Sequence, residues 1–268
     1  MKTLKLLVAA ALAMAATLMP LMVLADVQTD WYSGLKDKKN LTLLSVGDER
    51  IWVDDVALPY RFPHSGAVLH STLCGYRLDL SGVAITGFYW SSGERGIWAD
   101  GDIAVFLQGQ NTIAVDGRDN TGIYSQGSVL VFGDGALSIV STDGEHYGTG
   151  VGAKQNITIG VGSSVTITGA EKGIDVWDGD ILLSLCTVGI YGIDGEAIHS
   201  QLGSINVLGS AVSLIAEDGL TARFEHVVID GSLVDMLVSN RGVDTRSFSA
   251  THSYLSWVAT GSDALLRS

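Results

Sequence analysis

Between Gly96 and Leu185 one short phrase is written four times, and this recurrence limits the possible folds more than any other feature of the chain. It reads GIWADGDIAVFLQGQNTIAV from Gly96 and GIYSQGSVLVFGDGALSIV from Gly122. A degraded copy, GVGAKQNITIGVGSSVTIT, starts at Gly150, and GIDVWDGDILLSL, which lacks the second half, starts at Gly173. The starts are 26, 28 and 23 residues apart, within the range of solenoid repeats. No copy has enough apolar residues on one face to close a core of its own, so each must stack on the next.

Within a copy the apolar residues alternate. Ile103, Val105 and Leu107 are followed by Ile113 and Val115, and the second copy places Val129, Val131, Leu137 and Ile139 at the same points. The third uses Ile157, Ile159, Val165 and Ile167. Alternation over four or five residues, rich in Val, Ile and Thr, is the strand signal. The openings Gly96-Ile97, Gly122-Ile123 and Gly173-Ile174 read as a third brief strand with the branched side chain inward. Three short strands per repeat describe one coil of a right-handed parallel β-helix. The abundance of Gly, 33 against 3 Pro, fits many tight turns. A β-propeller would need longer four-stranded units, and a β-sandwich would lack the recurrent Gly-Ile phrase.

The phrase reaches back to YRLDLSGVAITG from Tyr76, then decays through Gly189-Ile190-Tyr191, Ala197-Ile198-His199 and SINVLGSAVSLIAEDG to Asp230. The expected organisation is a signal peptide over 1–25, a lead-in with cap strands over 26–75, the β-helix over 76–230 and a C-terminal cap over 231–268. About five to seven coils are expected, each adding about 4.8 Å. Lys2 and Lys5, the apolar run Leu6–Leu24 and the small residue Ala25 make the signal-peptide pattern. The expectation is therefore a secreted or cell-surface protein, with no transmembrane segment once the signal is removed.

Removal of that segment would leave 14 Lys and Arg against 29 Asp and Glu. Such a balance argues against nucleic acid as a partner and favours neutral ligands or divalent cations. Cys74 and Cys186 sit in an export context where a disulfide can form, although Cys186 lies in an apolar run where a buried free thiol is common.

In these repeats the chain resembles a loosely defined group of secreted bacterial β-helix proteins, most closely at GIWADGDIAVFLQGQNTI and GIYSQGSVLVFGDGALSIV. It also looks like the carbohydrate-binding, calcium-binding β-helix family related in shape to the pectate lyases. The resemblance implies a fold first, and any function it implies is analogy from that fold.

Two sets of residues carry the chemistry. Asp100 and Asp102 flank Gly101, and Asp178 and Asp180 flank Gly179. Paired carboxylates at a turn are hard oxygen ligands of the kind Ca²⁺ takes, and Asp beside Gly is equally a turn former. The nonapeptide GGxGxDxUx is absent. Trp98 and Tyr124 each follow the inward Ile, so they should point outward from adjacent coils. Tyr191 follows the same Gly-Ile pattern, and Trp177 sits two positions past its column. With Tyr89 and Trp90 in the loop Phe88–Arg95 they offer flat faces for sugar rings. Gly152 and Asp175 interrupt the column.

Catalytic patterns are sparse. Arg95, Arg118, Lys154, Lys172 and Arg223 are isolated, and the six His residues make no tight zinc spacing. No nucleophile elbow, phosphate loop or dinucleotide fingerprint occurs. The leading expectation is an exported, non-catalytic β-helix that binds a polysaccharide or cell-wall glycan, with Ca²⁺ as a candidate stabiliser. The alternatives are a structural or adhesive surface protein with a protein partner, and a polysaccharide lyase.

Overall fold

The computed structural model describes residues 40–73, 75–90, 93–116, 119–141 and 148–260, with Trp90 described by its backbone alone. The signal segment 1–25, the lead-in up to residue 39, Cys74, Arg118 and residues 261–268 lie outside the described residues.

Three parallel sheets wall a right-handed β-helix of about seven turns. Sheet A stacks Gly75–Ser81, Ile103–Gln108, Val129–Gly133, Ile157–Ile159, Ile181–Ser184 and Ile205–Leu208, then the ends of the long strands Ala211–Asp230 and Val243–Thr251. Sheet B begins with Ala84–Thr86, Gln110–Val115, Ala136–Ser141 and Ser164–Thr168. It continues with the starts of Thr187–Ser200 and Ala211–Asp230, then Leu233–Val238 and Tyr254–Ala259. Sheet C stacks Gly93–Ala99, Thr121–Ser125, Thr149–Ala153 and Lys172–Val176. Its upper part is made of the end of Thr187–Ser200, the middle of Ala211–Asp230 and the start of Val243–Thr251.

Like residues stack on like. Ile97, Ile123, Val151, Ile174, Ile198, Leu220 and Val243 form one buried column on sheet C. Ile85, Ile113, Ile139, Ile167, Ile190, Leu214 and Met236 form another on sheet B. The second column explains the glycine of the repeat phrase. A methyl group on Gly122 would stand 2.6 Å from the Gly150 carbonyl oxygen and closer still to Ile139 Cγ2. On Gly173 it would stand 2.6 Å from Ile190 Cγ2. The one coil that places Ala at this point, Ala197, is also the one in which Leu214 replaces the Ile of sheet B. Leu carries its branch one carbon further out, so its β-carbon crowds the neighbour less.

Hydrogen-bonded side chains close two of the corners. Between sheets C and A, Asp102 Oδ1 accepts the Ser128 N–H (2.7 Å), Ser128 Oγ the Asn156 N–H (3.4 Å), Asn156 Oδ1 the Asp180 N–H (2.9 Å) and Asp180 Oδ1 the Ser204 N–H (2.7 Å). Between sheets A and B, the N–H groups of Cys186, Ser210 and Ser232 donate to Ser210, Ser232 and Ser253 Oγ at 3.1 to 3.3 Å. Turn backbone that the sheets leave unpaired is thereby satisfied. Cys186 is a free thiol buried in this corner, 3.6 Å from Ser210 Oγ, and burial pushes its pKa up to about 11.

At the N-terminal end, Leu43–Val46 pairs antiparallel with both Glu49–Trp52 and Gly93–Ala99, and Val68–Thr72 pairs antiparallel with Gly75–Ser81. These strands cover edges that would otherwise be open. The C-terminal end differs from the expected cap starting at residue 231. Parallel pairing continues through Leu233–Val238, Val243–Thr251 and Tyr254–Ala259. Outward positions there carry Leu233, Leu237, Tyr254 and Val258, which blurs the alternation that marks the earlier strands.

Replacing Gly122 with Ala should lower the unfolding free energy by about 1–3 kcal/mol, the range for overpacking a tight core. Denaturant titration checks this, and an unchanged midpoint would mean that the sheets can separate to admit the methyl group.

Candidate functional site

The outward face of sheet C carries the candidate site. Its outward column reads Trp98, Tyr124, Gly152, Asp175, His199, Thr221 and, by the same register, Asp244. Beside it runs Arg95, Thr121, Thr149 and Lys172. The lower end is therefore aromatic and the upper end charged, with a bare glycine between them.

Gly152 makes the groove. A methyl group there would stand 3.0 Å from Tyr124 Cδ2 and 3.6 Å from its Cε2, so the edge of the Tyr124 ring lies over the glycine. The ring occupies space that any side chain at 152 would need. Arg95 steadies it from the other side, with its guanidinium 5.8 Å from the Tyr124 centroid and 5.7 Å from that of Trp98. Stacking of this kind is not confined to the site. On sheet A, Arg77 lies 5.3 Å from Phe106, which packs on Phe132 at 5.1 Å. On sheet C a hollow lies beside the rings.

That hollow measures about 420 Å³ and is lined by Thr121, Tyr124, Gln126, Thr149, Gly152, Ala153, Lys154, Asp175 and Trp177. Trp177 reaches it at a change of turn length. Three residues, Lys154 to Asn156, join sheet C to sheet A in one coil, and four, Trp177 to Asp180, do so in the next. Trp177 opens the longer turn; its N–H donates to the Ala153 carbonyl (3.2 Å), as the Lys154 N–H does to Ser125 one coil earlier, and its side chain remains 61% exposed.

The charged wall is ordered. Asp175 Oδ1 lies 2.6 Å from His199 Nδ1 and accepts from Lys172 Nζ at 3.2 Å. A carboxylate only accepts, so His199 carries its proton on Nδ1 in this pair. Lys172 also meets Glu196 (3.6 Å), which binds Arg223 (3.1 Å). Higher up, Arg241 pairs with Asp218 (3.0 Å) and with Asp244. Burial pushes the Asp175 pKa up, but the hydrogen bond from His199 and the charge of Lys172 outweigh it and hold the group below its ordinary value. Asp175 is thus ionised at neutral pH, with its charge already shared by two partners. Lys154, by contrast, is exposed and makes no side-chain ion pair among the described residues.

Of the expected sugar-facing residues, the structure brings together Trp98, Tyr124 and Trp177. Tyr89 lies on Phe88–Trp90, which pairs antiparallel with Gly93–Ala99 and sets Tyr89 opposite Glu94. Trp90 shares that strand, opposite Gly93. Tyr191 does not join the column. Its strand segment pairs on sheet B, where it stands opposite Thr168 and Ile215, and His199 takes the place on sheet C. The sequence repeats Gly-Ile on both sheets in this coil, and only pairing tells them apart.

The expected ion ligands are engaged in turns. Asp100 Oδ1 accepts the N–H groups of Thr42 (2.8 Å) and Leu43 (2.9 Å), and Thr42 Oγ1 donates to its other oxygen. Asp102 is buried, accepting from Ser128 and, at 3.1 Å, from Asn40 Nδ2. Asp180 accepts from Ser204, and Asp178 is exposed. Among the described residues no three His, Cys, Asp or Glu side chains are grouped to hold a metal. Ser128 and Asn156 stand at matching points of the same ladder, so the position needs an acceptor oxygen and not a charge. Asp100, Asp102 and Asp180 thus commit oxygens to turn hydrogen bonds. Among the described residues, no helix is long and apolar enough to cross a membrane.

Sequence reading missed the constructive role of Gly152 and Asp175, which look like gaps in an aromatic stripe. It also left out Gln126, Thr121 and Thr149 and gave Lys154 no role in binding; their shared register with Tyr124 was the available signal. Compared with protein-family models, with curated proteins and with solved structures, the chain matches none. The architecture is consistent with the parallel β-helix superfamily at large.

Two outcomes follow. Asp102→Ala should cost about 1–3 kcal/mol by leaving a buried N–H unpaired, whereas Asp102→Asn should cost far less; equal losses in thermal unfolding would restore a need for charge. A carboxylate with a depressed pKa contributes stability that is complete above its unfolded value, 3.8, and lost as pH falls through the folded one. Asp175→Asn should therefore flatten the acid limb of the stability profile below about pH 4, measured by urea unfolding between pH 2 and 6.

Proposed function

We propose that this protein is an exported, non-catalytic carbohydrate-binding β-helix whose ligand lies in the sheet C groove. The observation that carries the reading is the pairing of Tyr124 and Trp177 around Gly152. Aromatic faces suit the apolar side of a sugar ring, and polar groups beside them take its hydroxyls. Gln126, Thr121, Thr149 and Lys154 supply such groups. Asp175 adds an ionised acceptor held in place by His199 and Lys172. Export rests on the residues of the first 25 positions, and a cell-surface glycan is the natural polymer for an exported protein to meet.

The test is retention on a panel of insoluble glycans. Removing both rings in Tyr124→Ala/Trp177→Ala should weaken retention about tenfold or more, from about 0.5–1.5 kcal/mol per ring. Trp177 is exposed and Tyr124 half-buried, so the double variant should remain folded with a modest fall in unfolding temperature, which thermal unfolding checks. Undiminished retention would end the assignment of this groove.

A second reading, adhesion to a protein partner, is favoured by a separate observation. The outward columns Ile215–Leu237–Val258 and Leu233–Tyr254 place exposed apolar side chains on the last coils of sheet B. Contiguous exposed apolar surface marks interaction sites. In that case Leu237→Glu/Val258→Glu should abolish surface attachment and spare glycan retention. Attachment that survives the double change would count against adhesion through this face.

A further inference from the structure

Gly152 leaves an empty place in the outward column of sheet C. It stands opposite Tyr124 on one neighbouring strand and opposite Asp175 on the other. Those two residues are therefore two strand spacings apart, about 10 Å, with no side chain between them. The base of the gap is apolar. A methyl group built on Gly152 would lie 3.0 Å from Tyr124 Cδ2 and 3.4 Å from Thr149 Cγ2. A ligand methyl group standing slightly further out would touch both at van der Waals distance.

The wall beside this base has an unused acceptor. His199 Nδ1 (2.6 Å) and Lys172 Nζ (3.2 Å) both donate to Asp175 Oδ1. Asp175 Oδ2 has no hydrogen-bond partner among the described residues, and the side chain is 29% exposed. An open carboxylate oxygen accepts from a ligand donor, and covering it with a group that has no hydrogen to give costs affinity. Donors come from the next column. Lys154, two residues past Gly152, and Gln126 line the same hollow, and each side chain carries N–H groups.

We infer that the hollow at Gly152 receives the acetamido substituent of an N-acetylated amino sugar, and that this substituent decides which glycan the groove holds. Its methyl group lies against Tyr124 and Thr149, its N–H donates to Asp175 Oδ2, and its carbonyl accepts from Lys154 or Gln126. A hydroxyl has no apolar end to fill the base. A carboxylate has no hydrogen to give and would meet Asp175 as a like charge. The inference rests on the glycan reading proposed above and narrows it to one class of sugar.

Chitin, peptidoglycan and cellulose separate this class. All three join glucose-type rings through the same linkage, and the first two carry acetamido groups where cellulose carries a hydroxyl. The full chain should be retained on chitin, on peptidoglycan or on both at least about tenfold more strongly than on cellulose, and the polymer held identifies the source. Asp175→Asn tests the contact. His199 and Lys172 hold the amide oxygen in the place of Oδ1, which puts an NH2 donor in the place of Oδ2. Retention on the acetylated polymer should fall about tenfold or more, and retention on cellulose by less than about threefold, because a hydroxyl accepts as readily as it donates. Gly152→Ala keeps every polar group and fills the base of the hollow, so it should erase the preference. A third arm needs no variant: soluble chitin oligosaccharides should release the bound chain at concentrations where cellulose oligosaccharides of the same length do not. Equal retention on all three polymers, equal release by the two oligosaccharides, or a preference that survives either substitution overturns the acetamido assignment while the glycan reading stands. Retention on none of the polymers overturns both.

Discussion

The structure depends on how closely sheet B approaches sheet C. Ile113, Ile139, Ile167 and Ile190 press against the glycines that open the repeat phrase, leaving no room for a β-carbon. Packing at this density transmits any change in side-chain volume to the backbone. It also fixes the phase of each coil, because a glycine must meet an isoleucine 17 positions later, as Gly122 meets Ile139. The outward residues inherit that phase. Trp98 and Tyr124 are neighbours on the surface because Ile97 and Ile123 are neighbours in the core.

This dependence explains what could be read from the sequence. Inward residues repeat because they touch their own counterparts, so the Ile columns, the coil period and the fold class were all legible. The extent of the solenoid was harder. Past Asp230 the outward positions turn apolar at Leu233, Leu237 and Val258, and alternation loses contrast where pairing continues. Tyr191 shows the limit at a single residue. Its Gly-Ile context matches that of Trp98, but the 14-residue strand Thr187–Ser200 passes from sheet B to sheet C, and local text does not say on which sheet a given Gly-Ile falls.

The candidate site follows the opposite logic. Repetition builds the wall, and the site lies where repetition fails. Gly152 withholds a side chain, Asp175 replaces a ring with a charge, and Trp177 puts a ring where the coil before it has Lys154. None of the three is informative alone. Their meaning comes from adjacency across coils, which joins residues 23 to 28 positions apart. The acidic turn residues mislead for a related reason. Asp, Ser and Asn fill one ladder interchangeably because each offers an oxygen to an N–H, and composition alone cannot separate this from metal ligation.

The two corner ladders point in opposite directions along the axis. At one corner, the side chain of an earlier coil accepts from the backbone of the next, as Asp102 does from Ser128. At the other, the later coil accepts from the earlier, as Ser232 does from Ser210. Where the ladders overlap, the coil of Asp180 and Cys186 offers the next coil an acceptor at one corner and an N–H at the other. A cut there leaves both halves unpaired unless it removes a full turn. The solenoid can therefore lengthen or shorten only in whole-coil quanta. The outward column of sheet C then gains or loses one position at a time, each a strand spacing of about 4.8 Å.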